Sequence, residues 1–248
     1  MAQDSVLKKG FKNMEKFEIN DWLEIFFGKL KEAFGERILF AAHAGSRARG
    51  EATEKSDIDI NLVLDKVETR DLEIYRGILK EMPFAEKACG FICGRDEINA
   101  WPRNELFHFM NGCKIYCGSL DALPNPPTAD EIKEYVRISS SAILHEARHL
   151  MIYSKDIGAD VEQLAMAYKS SFFIFQALLF LKDGVFRATK KEVMESLTAP
   201  PDTEVMRRSC TWNELNSDRN SRPGYYFEVI IDWCSGVLTA LSVDIVIE

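Results

Sequence analysis

Positive charge is in short supply in this chain. Its 31 Lys and Arg face 39 Asp and Glu, leaving a net charge of −8. Binding to nucleic acid through its phosphates is driven by Lys and Arg. Nucleic acid is therefore not an expected partner, whereas a cationic one is tolerated. Proline (8) and glycine (14) are also sparse, and no block of like charge runs on, which excludes a collagen-like chain or a disordered tail. Long apolar runs are missing too. The longest, Phe172 to Leu181, is interrupted by Gln176 and reaches about half the ~20 residues that a spanning helix needs. No membrane partner is expected. The start, Met1 to Gly10, has no apolar h-region, so the expected location is cytoplasmic. The six cysteines are then expected to be reduced thiols. Cys89 and Cys93 form one pair and Cys113 and Cys117 another, but zinc ribbons use the tighter Cys-x2-Cys spacing. Buried thiols on adjacent strands are the plain reading, with metal binding the open alternative.

What the chain does have is apolar content: 46% of 248 residues, 16 of them Phe. A chain of this size buries roughly 75% of its unfolded surface, enough for one or two domains. Trp22, Leu23, Phe26, Phe27, Leu30 and Phe34 recur at helical spacing and predict a helix over Asp21–Phe34, with Asn20 as N-cap and Gly35 as stop. Strands are predicted at 38–42, 58–64, 88–93 and 113–116, with a helix over 69–82. Pro102 breaks the mixed stretch from Asp96 to Met110. The run Leu123-Pro-Asn-Pro-Pro-Thr128 continues neither helix nor strand and marks a boundary. Thr128 and Glu131 then form a capping-box pattern. Helices are predicted at 129–154, 160–182, 189–198, 204–216 and 224–246. The expected fold class is α+β. A mixed sheet flanked by helices occupies residues 1–123, and an all-α helical bundle occupies 128–248.

The chemistry concentrates between the first two strands. Gly45 and Ser46 are followed after ten residues by Asp57-Ile58-Asp59. Glycine permits a tight turn and lets a phosphate approach the backbone. Ser46 adds a hydroxyl and Arg47 and Arg49 add charge. Along the next strand, Ile58, Ile60, Leu62 and Leu64 take one face, and Asp57, Asp59 and Asn61 take the other. Carboxylates two apart on one face, about 6.6 Å along the strand, can hold one hard cation, Mg2+ or Mn2+. Such a metal would bridge the phosphates of a nucleotide bound on the Gly-Ser turn.

The segment Gly45-Ser-Arg-Ala-Arg-Gly-Glu-Ala-Thr-Glu-Lys-Ser-Asp57-Ile-Asp59 resembles the DNA-polymerase-β-like nucleotidyltransferase superfamily over about residues 20–120. More loosely, Ala165 to Leu197, with Lys182-Asp-Gly184 and Thr189-Lys-Lys-Glu192, is similar to the helical domains of kanamycin-nucleotidyltransferase-like and minimal-nucleotidyltransferase/HEPN proteins. The resemblance implies transfer of a nucleoside monophosphate from a nucleoside triphosphate to an acceptor hydroxyl. Asp57 and Asp59 would bind metal, and Gly45 and Ser46, helped by Arg47 or Arg49, would hold the triphosphate. It also implies a third carboxylate on the neighbouring strand. That strand has none within it, and Glu86, just before it, is the candidate. The acidic balance favours a small, aminoglycoside-like acceptor. An alternative, supported by the absent in-strand acid, is a non-catalytic or partner-dependent nucleotide-binding module akin to a minimal-nucleotidyltransferase antitoxin.

A second motif competes. His145-Glu-Ala-Arg-His149 fits His-Glu-x-x-His, in which two histidines four apart on a helix hold zinc and the Glu serves as base. A zinc metalloprotease would need a third ligand and a substrate-binding strand, and none is evident. A third reading joins the halves: the kanamycin-nucleotidyltransferase likeness makes Glu146 the general base for the acceptor hydroxyl. Trp101, Phe107 and Tyr116 are candidates for stacking on a base, with packing as the alternative. Lys169 has equal claims as a phosphate contact and a surface lysine. The apolar last helix, Tyr225 to Ile247, admits a homodimer.

Overall fold

The computed structural model describes residues 18–242. They divide into two compact units, one of residues 18–101 with Gly112–Asn125, the other of Pro102–Asn111 with 126–242.

The first unit is a four-stranded mixed sheet with helices on one face. In chain order it runs α1 (Ile19–Phe34), β1 (Ile38–Ala44), α2 (Gly45–Ala48), β2 (Ile58–Leu64), α3 (Thr69–Glu81), β3 (Ala88–Gly94), α4 (Arg95–Ala100) and β4 (Lys114–Gly118). The strand order is β3-β2-β1-β4. β1 runs antiparallel to both neighbours, and β2 is parallel to β3. The alternation read from the sequence sets the layers. Ile58, Ile60, Leu62 and Leu64 join Ala41 and the apolar stripe of α1 in one fully buried core, with Ile74 and Ile78 of α3 packed against it. Burying such side chains contributes about 1.5–3 kcal/mol each, so this layer fixes the sheet. α1 starts earlier than Asn20. Glu18 holds the N-cap position, and its carbonyl accepts the Trp22 N–H at 3.1 Å. Trp22 is fully buried and donates its ring N–H to Pro83 at 2.7 Å, so tertiary packing sets the first turn. Cysteine placement also departs from expectation: β3 and β4 are opposite edges of the sheet, not neighbours. Cys89 and Cys93 on β3 are separated by two strands from Cys113 and Cys117, and all six cysteines are free thiols.

The second unit is helical. Its elements are α5 (Leu106–Asn111), α6 (Ala129–Tyr153), α7 (Ile157–Asp160), α8 (Ala165–Asp183), α9 (Lys190–Ser196), α10 (Pro200–Thr211), α11 (Asn216–Ser221) and α12 (Pro223–Ser242). The Thr128–Glu131 capping box starts α6 as expected. α8 is the core helix. Its Phe172, Ile174, Phe175 and Ala177 are buried, it packs against α6 and α10, and Gly184 ends it in a left-handed turn. α10 begins at Pro200, four residues before the expected start. The first turn of a helix needs no internal N–H partner, so the two prolines can stand at its start. Residues 243–246 of the expected last helix lie outside the described residues, as does the start Met1–Gly10.

The chain boundary at 123–128 misses one exchange. Pro102–Asn111 packs with the helices because Phe107 is buried there, 5.0 Å from the Phe180 ring and 5.7 Å from that of Phe186. Buried charge in this unit is compensated. Arg208, fully buried, pairs with Glu204 and lies over the rings of Tyr225 and Tyr226 at 5.0 and 4.7 Å. Arg219 pairs with Glu162 at 2.8 Å and covers Trp212 at 4.3 Å.

One ion pair ties β1 to α3. Arg37 donates to both Asp71 oxygens at 2.8 and 2.9 Å, and to Asp65 at 2.9 Å. These bonds, with the Glu68 backbone N–H, hold the Asp71 carboxyl down to about 2. Its ionised form therefore stabilises the fold above the unfolded value of about 4, and that contribution is lost as pH falls through about 2. Asp71→Asn is expected to lower the unfolding free energy at pH 7 by about 2 kcal/mol. In denaturant titrations against pH, the gap to wild type should close between about pH 4 and pH 2.

Candidate active site

Three pieces of backbone meet at one end of the sheet: the end of β1, the turn into α2, and the start of β2. Asp57 immediately precedes β2 and Asp59 is its second residue, so strand alternation puts both on the face opposite the helix-covered core. Asp59 lies opposite Ala44 on β1 and beside Cys89 on β3. Asp57 is exposed and Asp59 half-buried.

Gly45 shows how tightly this corner is built. Its φ is +72°, in the left-handed region. A Cβ added there would lie 1.8 Å from Oδ2 of Asp59. The Asp59 carboxylate therefore sits directly over the Gly45 Cα, and only glycine leaves room for it. Ser46 follows, half-buried, as the second residue of α2. The turn is closed by its own backbone: the Glu51 N–H donates to the Ser46 carbonyl at 2.9 Å and the Gly50 N–H to Arg47 at 3.2 Å.

Both arginines of the turn make contacts within the loop. Arg47 donates through Nε to the carbonyls of Ser56 and Asp57, each at 3.1 Å, and through Nη2 to Ser56 at 2.7 Å. It thereby fastens the backbone that delivers Asp57. Arg49 pairs with Glu51 at 3.0 Å. Lys87, just before β3, donates to the Glu54 carbonyl at 2.6 Å and holds the loop from the other side. Ser56 Oγ accepts the Thr53 N–H at 2.9 Å. The loop between Gly45 and Asp57 is thus anchored along its length.

Two residues of this corner were not singled out in the sequence. His43 is 3% exposed and lies opposite Lys114, the first residue of β4. Burial, then the charges of Lys114 and Arg47, push the imidazole down to about 4, so it is neutral at pH 7. Its Nε2 has no hydrogen-bond partner among the described residues. The strand beginning near Lys114 was legible, but its place beside β1 was not, because pairing order is a tertiary property.

Glu86 is exposed in the turn before β3, and among the described residues no three His, Cys, Asp or Glu side chains gather into a metal site. The same finding applies to His145 and His149, and to the four cysteines. The buried stripe of α6 is Ile132, Val136, Ser140, Ile143 and Ala147, which leaves His145, Glu146 and His149 exposed. The two imidazoles lie 6.2 Å apart, and among the described residues no third ligand joins them. Of the aromatic candidates, Tyr116 stacks on Phe27 at 4.3 Å, Trp101 meets Phe91 at 4.8 Å, and Phe107 belongs to the helical core. Lys169 is exposed on α8.

Two carboxylates on one face suit a hard cation. Magnesium commonly takes one or two protein carboxylates and completes its shell with water and substrate phosphate oxygens. Gly45→Ala is expected to displace the Asp59 carboxylate in a crystal structure. It should also lower unfolding free energy by about 1 kcal/mol or more through the positive φ.

Residues 23–90 match the family model described as a nucleotidyltransferase domain. The match runs from α1 into β3 and contains the Gly45–Asp59 segment. No curated protein matches the chain. Among solved structures, a spectinomycin adenyltransferase from Enterococcus faecialis, determined with ATP and spectinomycin, overlays with a TM-score of 0.47 at 13% identity, covering 86% of this chain and 99% of that one. The Gly-Ser turn and the Asp-x-Asp strand both lie inside the residues that match the nucleotidyltransferase domain model.

Proposed function

We propose that the protein is a divalent-metal-dependent nucleotidyltransferase that moves a nucleoside monophosphate from a nucleoside triphosphate to a hydroxyl of a small acceptor. One observation carries the reading: the Asp59 carboxylate packed over Gly45, with Asp57 on the same face, inside a segment that matches the family model. In this reaction the acceptor oxygen forms a bond to the α-phosphorus. The bond from that phosphorus to the bridging oxygen breaks, and pyrophosphate leaves with the electron pair. Asp57 and Asp59 would hold Mg2+ or Mn2+, whose chemistry is to neutralise charge on the phosphates. Gly45 lets the triphosphate approach the backbone, and Ser46 offers its hydroxyl. Arg47 contributes by fixing the Ser56 and Asp57 carbonyls, which sets where the Asp57 side chain starts. Glu146 is the residue this reading assigns to take the acceptor proton; Glu146→Gln then slows turnover and leaves nucleotide binding unchanged.

The net charge of −8 favours a small cationic acceptor, aminoglycoside-like in its amines and hydroxyls, over a nucleic acid. A second reading, a nucleotide-binding module without transfer, draws on the absence of a three-residue metal cluster among the described residues. Binding and turnover separate the two. Thermal shift with each of ATP, GTP, CTP and UTP, with and without Mg2+, is expected to show stabilisation of wild type by at least one triphosphate only when the metal is present. Asp57→Asn should lose that stabilisation while its own melting temperature stays within about 1 °C, because Asp57 is exposed. Pyrophosphate release on adding an aminoglycoside panel then supports transfer. Binding with no release against any acceptor favours the module, and no triphosphate binding overturns both.

A further inference from the structure

The helical unit carries a groove of about 800 Å3 between the first turn of α10 and one face of α12. Along α12 its lining runs from Tyr225 through Val229 and Gly236 to Ala240, at helical spacing. At 1.5 Å per residue this stripe is about 22 Å long, roughly four turns of helix. The floor is apolar, and Gly236 gives it depth: a Cβ built there would meet nothing within 4 Å.

The walls are acidic. Glu228 and Asp232, four apart on α12, stand along one edge of the stripe, and Asp202 and Glu204 come from α10. Glu204 is paired with Arg207 and Arg208, and Asp202 accepts the Trp233 ring N–H at 2.8 Å. Glu228 and Asp232 are exposed, and among the described residues no cation pairs with either. No Lys or Arg lines the groove. Like charges four apart on a helix repel, so an arriving cation relieves a strain that the fold already carries. This charge decides between occupants. Nucleic acid is repelled, and a second copy of the same face would set carboxylates against carboxylates. An apolar floor of helical length between acidic walls matches a helix with apolar residues at i, i+3, i+4 and i+7 and Lys or Arg on its flanks.

We propose that the α10–α12 groove docks a basic amphipathic helix of a partner protein. The inference does not rest on the nucleotidyltransferase reading.

The test titrates the full chain into a fluorescein-labelled leucine–lysine peptide of about 16 residues, the length of the groove, with its leucines at helical spacing. Anisotropy reports binding. A scrambled peptide of the same composition is run beside it, and spermine is added as a competitor. The amphipathic peptide is expected to bind at least tenfold more tightly than the scrambled one. Gly236→Leu fills the floor and should weaken binding tenfold or more. Its melting temperature should hold or rise, since leucine is the better helix former and its Cβ meets no neighbour. The double variant Glu228→Gln with Asp232→Asn should weaken binding severalfold and flatten its dependence on salt. Equal binding of both peptides overturns the proposal, because charge alone then suffices. Unchanged affinity in Gly236→Leu overturns it by placing the peptide elsewhere. Displacement by equimolar spermine makes a small cation the occupant and overturns the helix, as does failure of the amphipathic peptide to bind.

Discussion

The antiparallel register of β1 on β2 is the constraint on which the site depends. It sets Ala44 opposite Asp59, so the residue after Ala44 must turn beneath the Asp59 carboxylate. With Oδ2 of Asp59 1.8 Å from where a Cβ would stand, any residue but glycine would push that carboxylate aside. A slip of one residue would carry Asp57 and Asp59 to the core face and Ile58 and Ile60 to the solvent. The buried layer of Ile58, Ile60, Leu62 and Leu64 against α1 forbids the slip. The hydrophobic core and the acidic site are thus two sides of one strand, fixed by one register.

Around this register the loop from Gly45 to Asp57 is anchored by polar bonds to its own backbone. Arg47 is central to that anchoring, because its guanidinium spans the Ser56 and Asp57 carbonyls, on either side of the Asp57 Cα. A residue type usually read as an anion ligand here acts on the chain itself. Arginine's planar fork suits several carbonyls at once.

The helical unit holds itself together by a different means. Its core is aromatic and aliphatic around α8, and its buried cations are covered by aromatic faces and single carboxylates. Arg208 lies under Tyr225 and Tyr226, and Arg219 covers Trp212. Buried charge of this kind is tolerated only where each partner is supplied. Arg208 takes its carboxylate from Glu204 of its own helix and its aromatic cover from α12, whereas Arg219 of α11 meets Glu162 across 57 residues of chain. Sequence periodicity marks the helices of this unit but not these pairings.

Local chemistry was legible from the residues alone. The alternation over 58–64, the capping box at Thr128, the stop at Gly35 and the pairing of Gly45-Ser46 with Asp57 and Asp59 depend on neighbours within about a dozen positions. Backbone dihedrals and side-chain alternation act at that range, so the sequence by itself determined the strands, most helices and the acidic face. Tertiary structure decided the rest. It took Pro102–Asn111 into the helical unit through the burial of Phe107, set β3 and β4 at opposite edges of the sheet, and brought Lys114 beside His43. Each depends on which distant surfaces bury one another, a choice made by the summed packing of the whole chain rather than by any segment's own preference.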